Sequence, residues 1–258
     1  MSIVLISLFV LFCYMSMLFV LAQRAKNNGV ADIGYGIGFL VISYATALQV
    51  PKLFLFQYLL LGLVTVWGVR LAVRIFLKNK GKNEDFRYNA WRQEWGKAFV
   101  VRSFFQIYML QGSIIALIAS PIILALIFGT RENLAILFFG GVFLWCVGFF
   151  FEAVGDYQLD TFIHNPINKG KIMMSGLWSY TRHPNYFGES MMWCGITLAS
   201  IAITPIAILG TISPLLITFL LLKVSGVPML EKRWEGNTQW EEYKKRTSVF
   251  IPLPQKKL

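Results

Sequence analysis

Residues 3–21 read IVLISLFVLFCYMSMLFVL, without one charged side chain. A helix of about this length crosses the ~30 Å hydrocarbon core of a bilayer. A barrel strand would alternate apolar with polar residues, and this run does not. In hydrocarbon every backbone N–H and C=O must find a partner within the chain, so the run is expected to be helical. It has no basic segment ahead of it and no A-x-A cleavage site, and reads as a retained helix rather than a removed leader.

Six more runs of the same kind follow, at 33–48, 53–77, 104–128, 134–153, 186–203 and 206–224. The second is short, and Gly34, Gly36 and Gly38 interrupt its start. Only Thr204 and Pro205 separate the last two, which allows one long kinked hairpin. The chain is 56% hydrophobic and 14% charged, against about 25% charged in a soluble domain. These features predict an all-α polytopic integral membrane protein with about seven transmembrane helices.

Charge sets the expected orientation. Cytoplasmic loops of membrane proteins carry the excess of Lys and Arg. With the N-terminus outside, alternation leaves only Lys52 and Arg131, of 24 Lys and Arg, on the outer side. The net charge of +11 is thereby explained by positive-inside loops attracted to anionic lipid, and nucleic acid is not the expected partner. An anionic cofactor would be served by the same clustering. Cys13, Cys146 and Cys194 lie in or near apolar runs and form no CxxC, and the only histidines are His164 and His183. A structural metal site is therefore not expected. There is no GxGxxG after a strand and no P-loop, so any nucleotide must bind among the helices.

Polar residues without a topological reason fall in three segments. Residues 78–102 hold Glu84-Asp85-Phe86-Arg87-Tyr88 and a Trp91/Trp95 pair suited to an interfacial helix. Residues 152–189 are the richest. Glu152 and Asp156 are four apart and share a helix face, and Glu189 lies inside the next apolar run. Carboxylates in the membrane are costly and mark a site or a paired structural charge. Arg182, His183 and Asn185 bring donors suited to amide, ribose and phosphate groups. Residues 231–252 read as a short amphipathic helix on the cytoplasmic side, packed on the membrane surface or closing over a cavity.

The stretch GLWSYTRHPNYFGE at 176–189 resembles the C-terminal signature of the steroid 5-alpha-reductase superfamily in its bacterial branch. The resemblance extends back through WGVRL at 67–71, EDFRY at 84–88 and QIYMLQ at 106–111, and forward to EKR at 231–233 and to residues 243–252. It implies a single membrane-embedded reductase domain over residues 1–258, with the cofactor part mainly in 67–258. It also implies a monomer in the bacterial inner membrane or its equivalent. NADPH would lie in the cytoplasmic half, with hydride passing to the β-carbon of a lipophilic enone such as a 3-oxo-Δ4-steroid. Carried over by position, the cofactor contacts are Asp156, Lys171, Tyr180, Arg182, His183, Asn185 and Glu189. Arg70, Arg87, Tyr88, Glu152 and Tyr243 complete the set.

The sequence departs from the eukaryotic pattern where the ketone is polarised. Those members use a Gln-Glu pair early in the second helix and a Tyr in the third. Here Ala31 and Asp32 stand at the pair, and Trp67 near the Tyr position. Glu152 stands where they have Asn, and Lys171 where they have Arg. Asp32, Tyr35 and Trp67 are thus the catalytic candidates. Asp32 would act as an acid if burial kept it protonated, or else cap the second helix. Isoprenylcysteine carboxyl methyltransferases, which use S-adenosylmethionine, share an Arg-His-Pro block and are the rival reading. A non-catalytic sterol- or lipid-binding membrane protein is another. No inverted repeat suggests a transporter.

Overall fold

The computed structural model describes residues 2–130 and 134–256. Arg131, used in the charge argument, lies outside the described residues. Helices α1 (Ile3–Ala25), α2 (Gly29–Ala47) and α3 (Leu55–Asn79) follow one another through short connections. Next come α4 (Phe86–Trp95), α5 (Phe99–Ser103), a π-helical turn at Phe104–Met109, α6 (Leu110–Ile118) and α7 (Ser120–Phe128). The chain continues with α8 (Ala135–His164), α9 (Pro184–Ile203), α10 (Ile212–Phe219), α11 (Val227–Lys232) and α12 (Thr238–Arg246). Contacts divide it into two compact units, Met1–Phe138 with Ser200–Gly210, and Phe139–Ala199 with Thr211–Leu258.

Among the described residues six helical stretches are long and apolar enough to cross a membrane: Ile3–Ala25, Gly29–Ala47, Leu55–Asn79, Phe86–Ile118, Ala135–His164 and Pro205–Lys232. The 20-residue α9 is a further long helix, but Asn185, Glu189 and Ser190 make its first turns polar. Large apolar side chains such as Phe9, Leu55, Ile136 and Phe143 stand exposed along these helices. In water such a surface would be a docking patch or a liability; in lipid it is the solvent-facing side. The protein is an all-α polytopic integral membrane protein.

In the first unit α2 is the central helix, packed by α1, α3, α6 and α7. Its glycines do not interrupt it. A Cβ on Gly34 would collide with Leu18 of α1, one on Gly36 with the backbone oxygen of Gly68 in α3, and one on Gly38 with Ile115 of α6. Three glycines two apart thus let neighbours close in on different sides, the small-residue packing that replaces hydrophobic driving force in a membrane. Buried Gln57 finishes two helix ends together. Its Oε1 accepts from Phe54 N–H ahead of α3 (2.8 Å), and its Nε2 donates to Ala125 O and Leu126 O in the last turn of α7 (2.9 and 3.0 Å). Such end groups have no partner within their own helix.

In the second unit α8 lies against α9 along a heptad of glycines. A Cβ on Gly141 would fall 2.6 Å from the oxygen of Gly195, one on Gly148 2.5 Å from that of Gly188, and one on Gly155 3.1 Å from Pro184 Cγ. The tail is two short helices, α11 and α12, where the sequence suggested one. Gly236, at φ 81°, lies between them; that left-handed backbone favours glycine and ends a helix.

Candidate functional site

The first unit carries a polar cluster at the start of α2. Asp85 caps α4: its Oδ1 accepts from the backbone N–H of Arg87 (3.0 Å) and from Arg87 Nε (2.8 Å). That cap sets Arg87 and Tyr88 side by side toward α2. Arg87 Nη2 donates to Asp32 Oδ2 (2.9 Å), and Tyr88 Oη donates to Asp32 Oδ1 (2.7 Å). Tyr88 is buried, and Asp32 and Arg87 are half-buried. Asp32 sits inside the first turn of α2, and Asn28 occupies the N-cap position. The helix-cap role considered for Asp32 is therefore corrected: the first N–H of α2, that of Gly29, is taken by Asn27 Oδ1 (2.8 Å).

A second layer supports this cluster. Glu84 Oε1 accepts from Asn28 N (2.8 Å) and Arg92 Nη2 (2.9 Å), and its Oε2 accepts from Arg92 Nε (3.0 Å). Buried Tyr108, on the π-helical turn, donates to Asn28 Oδ1 (3.1 Å). A π turn inserts one extra residue and re-aims the side chains around it. Burial pushes the carboxyls of Glu84 and Asp85 up, but the hydrogen bonds they accept from Arg92 and Asn28, and from Arg87, outweigh it. Both are held below the ordinary carboxylate range. Tyr35 and Trp67 each meet Phe39 edge to face, with centroids 5.1 and 5.2 Å apart. Trp67 is fully buried and Arg70 is half-buried one turn along α3. The first unit therefore brings Asp32 to Arg87 and Tyr88, two residues expected on the cofactor, while Tyr35 and Trp67 meet Phe39.

The second unit carries the other cluster. Glu152 and Asp156 are buried one turn apart on α8, on the stretch that faces the start of α9. A Cβ on Gly188 would meet Glu152 N at 2.5 Å, and one on Gly155 would meet Asn185 N at 3.4 Å. Trp178 Nε1 donates to Gly155 O (3.0 Å), and the Tyr243 hydroxyl donates to Trp178 O. Burial pushes the Tyr243 phenol well above its ordinary value. Arg182 Nε donates to Glu231 Oε1 (2.9 Å) and its Nη1 to Thr247 O (2.8 Å). His183 Nε2 lies 3.0 Å from the same Glu231 oxygen. Thr181 and Ser248 form a parallel bridge, and Leu253 N–H donates to Tyr180 O (3.0 Å). Arg182 and His183 thus pin the tail through Glu231. The Tyr180 side chain and Lys171 are exposed, and Glu189 is half-buried.

Asn185 Oδ1, His183 Nδ1 and Thr247 Oγ1 are among the polar atoms here that are buried without a hydrogen-bond partner among the described residues. Buried polar atoms are nearly always satisfied, so this corner fits a ligand that offers donors, such as amide N–H or hydroxyl groups. Glu231, Trp178, Thr247 and Asn28 were not among the site candidates. Glu231 had a signal, as part of the EKR stretch at 231–233, but nothing in the sequence pairs it with a residue 49 positions earlier.

Fold and clusters define a class: a helical membrane protein with one polar cluster in each unit. A family model described as a protein of unknown function, DUF1295, matches residues 18–247, and the chain belongs to that family. It is similar to 3-oxo-5-alpha-steroid 4-dehydrogenase 1 of Macaca fascicularis, 34% identical over 114 residues, which is 44% of this chain and 40% of the relative. The Rattus norvegicus protein of the same name is 32% identical over 123 residues, 45% of this chain and 41% of the relative. A protein of Ustilaginoidea virens named "Probable O-methyltransferase ustE" is 40% identical over 60 residues, 23% of this chain and 21% of that one. The matches to the two steroid dehydrogenases thus span about two-fifths of their length. No solved structure matches.

Proposed function

We propose that this chain is an NADPH-dependent reductase that saturates the C=C bond of a lipophilic enone, with a 3-oxo-Δ4-steroid as the model substrate and the 5α-reduced ketone as product. The observation that carries the reading is a carboxylate inside the most buried span, Asp32, gripped by a tyrosine hydroxyl and a guanidinium. Such a group in a membrane helix marks a site by default. The matches to steroid dehydrogenases supply the reaction class.

Both Asp32 oxygens act as acceptors here, so Asp32 works through Tyr88. It holds the phenol in place; when substrate binds, the single Tyr88 O–H turns from Asp32 Oδ1 to the substrate oxygen and stabilises the enolate that hydride addition at the β-carbon would leave. A proton from water then adds at the α-carbon to give the saturated ketone, and the phenol keeps its own proton. Arg87 holds the carboxylate in place. Placement at the developing charge matters more than acid strength, and a low dielectric enlarges the effect. Bound NADPH would supply the hydride for the β-carbon. Asn185 and His183 have the orphaned atoms to hold it, with Glu152 and Asp156 beside them; Arg182 contributes by fixing the tail. By the positive-inside rule the N-terminus would lie outside and the cofactor on the cytoplasmic side.

The test is steroid-dependent loss of the near-ultraviolet absorbance of NADPH, with detergent-purified protein and progesterone or testosterone. Turnover to the saturated ketone is expected. Tyr88→Phe and Asp32→Asn should lower kcat about 10²–10⁴-fold, the range for a positioned acid, and spare NADPH binding. Absence of any enone-dependent NADPH consumption would sink the reading. The match to the named O-methyltransferase favours one alternative, methyl transfer from S-adenosylmethionine. A thermal shift with that compound and none with NADPH would establish it instead.

A further inference from the structure

A cavity of about 260 Å³ lies in the first unit where α2 begins and α3 ends. Gly29 and Asn79, which close those two spans, both line it. It therefore sits at the level where a bilayer changes from hydrocarbon to headgroups. Its walls are of two kinds. Val30, Ile33 and Phe76 form an apolar side, and Lys78, Lys80 and Lys82 bring three ammonium groups. Among the lining residues the acidic one is Asp85, which accepts from Arg87 Nε at 2.8 Å and is also attracted by Lys78. At the start of α2, Gly29 N–H is taken by Asn27 Oδ1 and Asn28 N–H by Glu84. Attraction for an anion comes from Lys80 and Lys82, both exposed.

We infer that this cavity binds the phosphate headgroup of an anionic phospholipid. The phosphodiester sits between Lys80 and Lys82, and the glycerol and upper acyl carbons lie along Val30, Ile33 and Phe76. Three observations select this ligand. The lysine charge requires an anion. The apolar wall requires that the anion carry a hydrocarbon part. The volume lies under the roughly 300–1,000 Å³ of pockets that enclose a drug-sized ligand, so it suits a headgroup and excludes a whole dinucleotide. Lysines serve this purpose because an ammonium is a point charge on a flexible stem and follows a mobile phosphate. Basic pockets between membrane helices hold lipid headgroups by the same physics. The inference stands whether or not the protein reduces enones.

The experiment is native mass spectrometry and thermal unfolding of the full chain. The protein is taken from nanodiscs of phosphatidylcholine, and of phosphatidylcholine mixed with phosphatidylglycerol. Wild type is expected to retain phosphatidylglycerol in preference to phosphatidylcholine and to melt higher in its presence. The double variant Lys80→Gln, Lys82→Gln should bind it about 30-fold more weakly at physiological salt, two lysines' worth at a membrane surface. Both lysines are exposed, and an unchanged melting temperature in pure phosphatidylcholine checks that the variant folds. Equal retention of the two lipids, or an unaffected variant, overturns the proposal. Displacement of the lipid by millimolar inorganic phosphate would make the occupant a free anion, and displacement by NADPH would make it the nucleotide's phosphate. Either result also overturns it.

Discussion

Arg182 shows how one residue changes meaning when its neighbours are known. Beside His183 and Asn185 it reads as a ligand for phosphate. In the folded chain its guanidinium is committed to Glu231 and to the carbonyl of Thr247, and its side chain is only 10% exposed, with Glu231 at 18%. Removing one partner of so buried a pair costs about 3–5 kcal/mol, because the other charge stays behind uncompensated. Glu231→Gln keeps the shape and removes the charge. Trypsin should then cut the tail at Lys244, Lys245 and Arg246 at least tenfold faster than in wild type, with the membrane helices intact. Unchanged resistance would mean that the pair does not hold the tail.

At the scale of elements, glycine placement decides which helices close on one another. Gly148 of α8 faces the backbone oxygen of Gly188, where an added Cβ would stand at 2.5 Å. No rotamer change relieves a clash with backbone, so Gly148→Ala must force the two helices apart. About 1–3 kcal/mol of destabilisation is expected, read as a lower midpoint in thermal unfolding in detergent. Gly62 of α3 has nothing within 4 Å of its Cβ position. Gly62→Ala should be neutral or raise the midpoint, since alanine is favoured over glycine in a helix by up to ~1 kcal/mol. Equal effects at the two positions would show that the α8–α9 packing is looser than its geometry. The same consideration explains Gly34, Gly36 and Gly38, which look like helix breakers in a linear reading and are close-packing positions in α2.

For the whole molecule, the distribution of Lys and Arg predicts orientation. Single cysteines placed at Lys52 and at Asn83, in a chain whose Cys13, Cys146 and Cys194 are replaced by serine, can be labelled with a membrane-impermeant maleimide. The cysteine at 52 should react in intact cells, and the one at 83 only after permeabilisation. The reverse pattern would invert the proposed topology and move the cofactor site to the other face.

The sequence by itself determined that this is a helical membrane protein. Uninterrupted apolar runs such as 3–21 leave the backbone no alternative in lipid. It also located the polar segments from which both clusters are built, because charge inside apolar runs is conspicuous. Tertiary structure decided the pairings. Asp32 with Tyr88 spans 56 positions and Arg182 with Glu231 spans 49. The register of one helix against another sets such contacts, and that register depends on small residues whose partners lie far along the chain. Hydrophobic periodicity reports whether a residue is in a helix; it says nothing of which distant residue completes a buried charge.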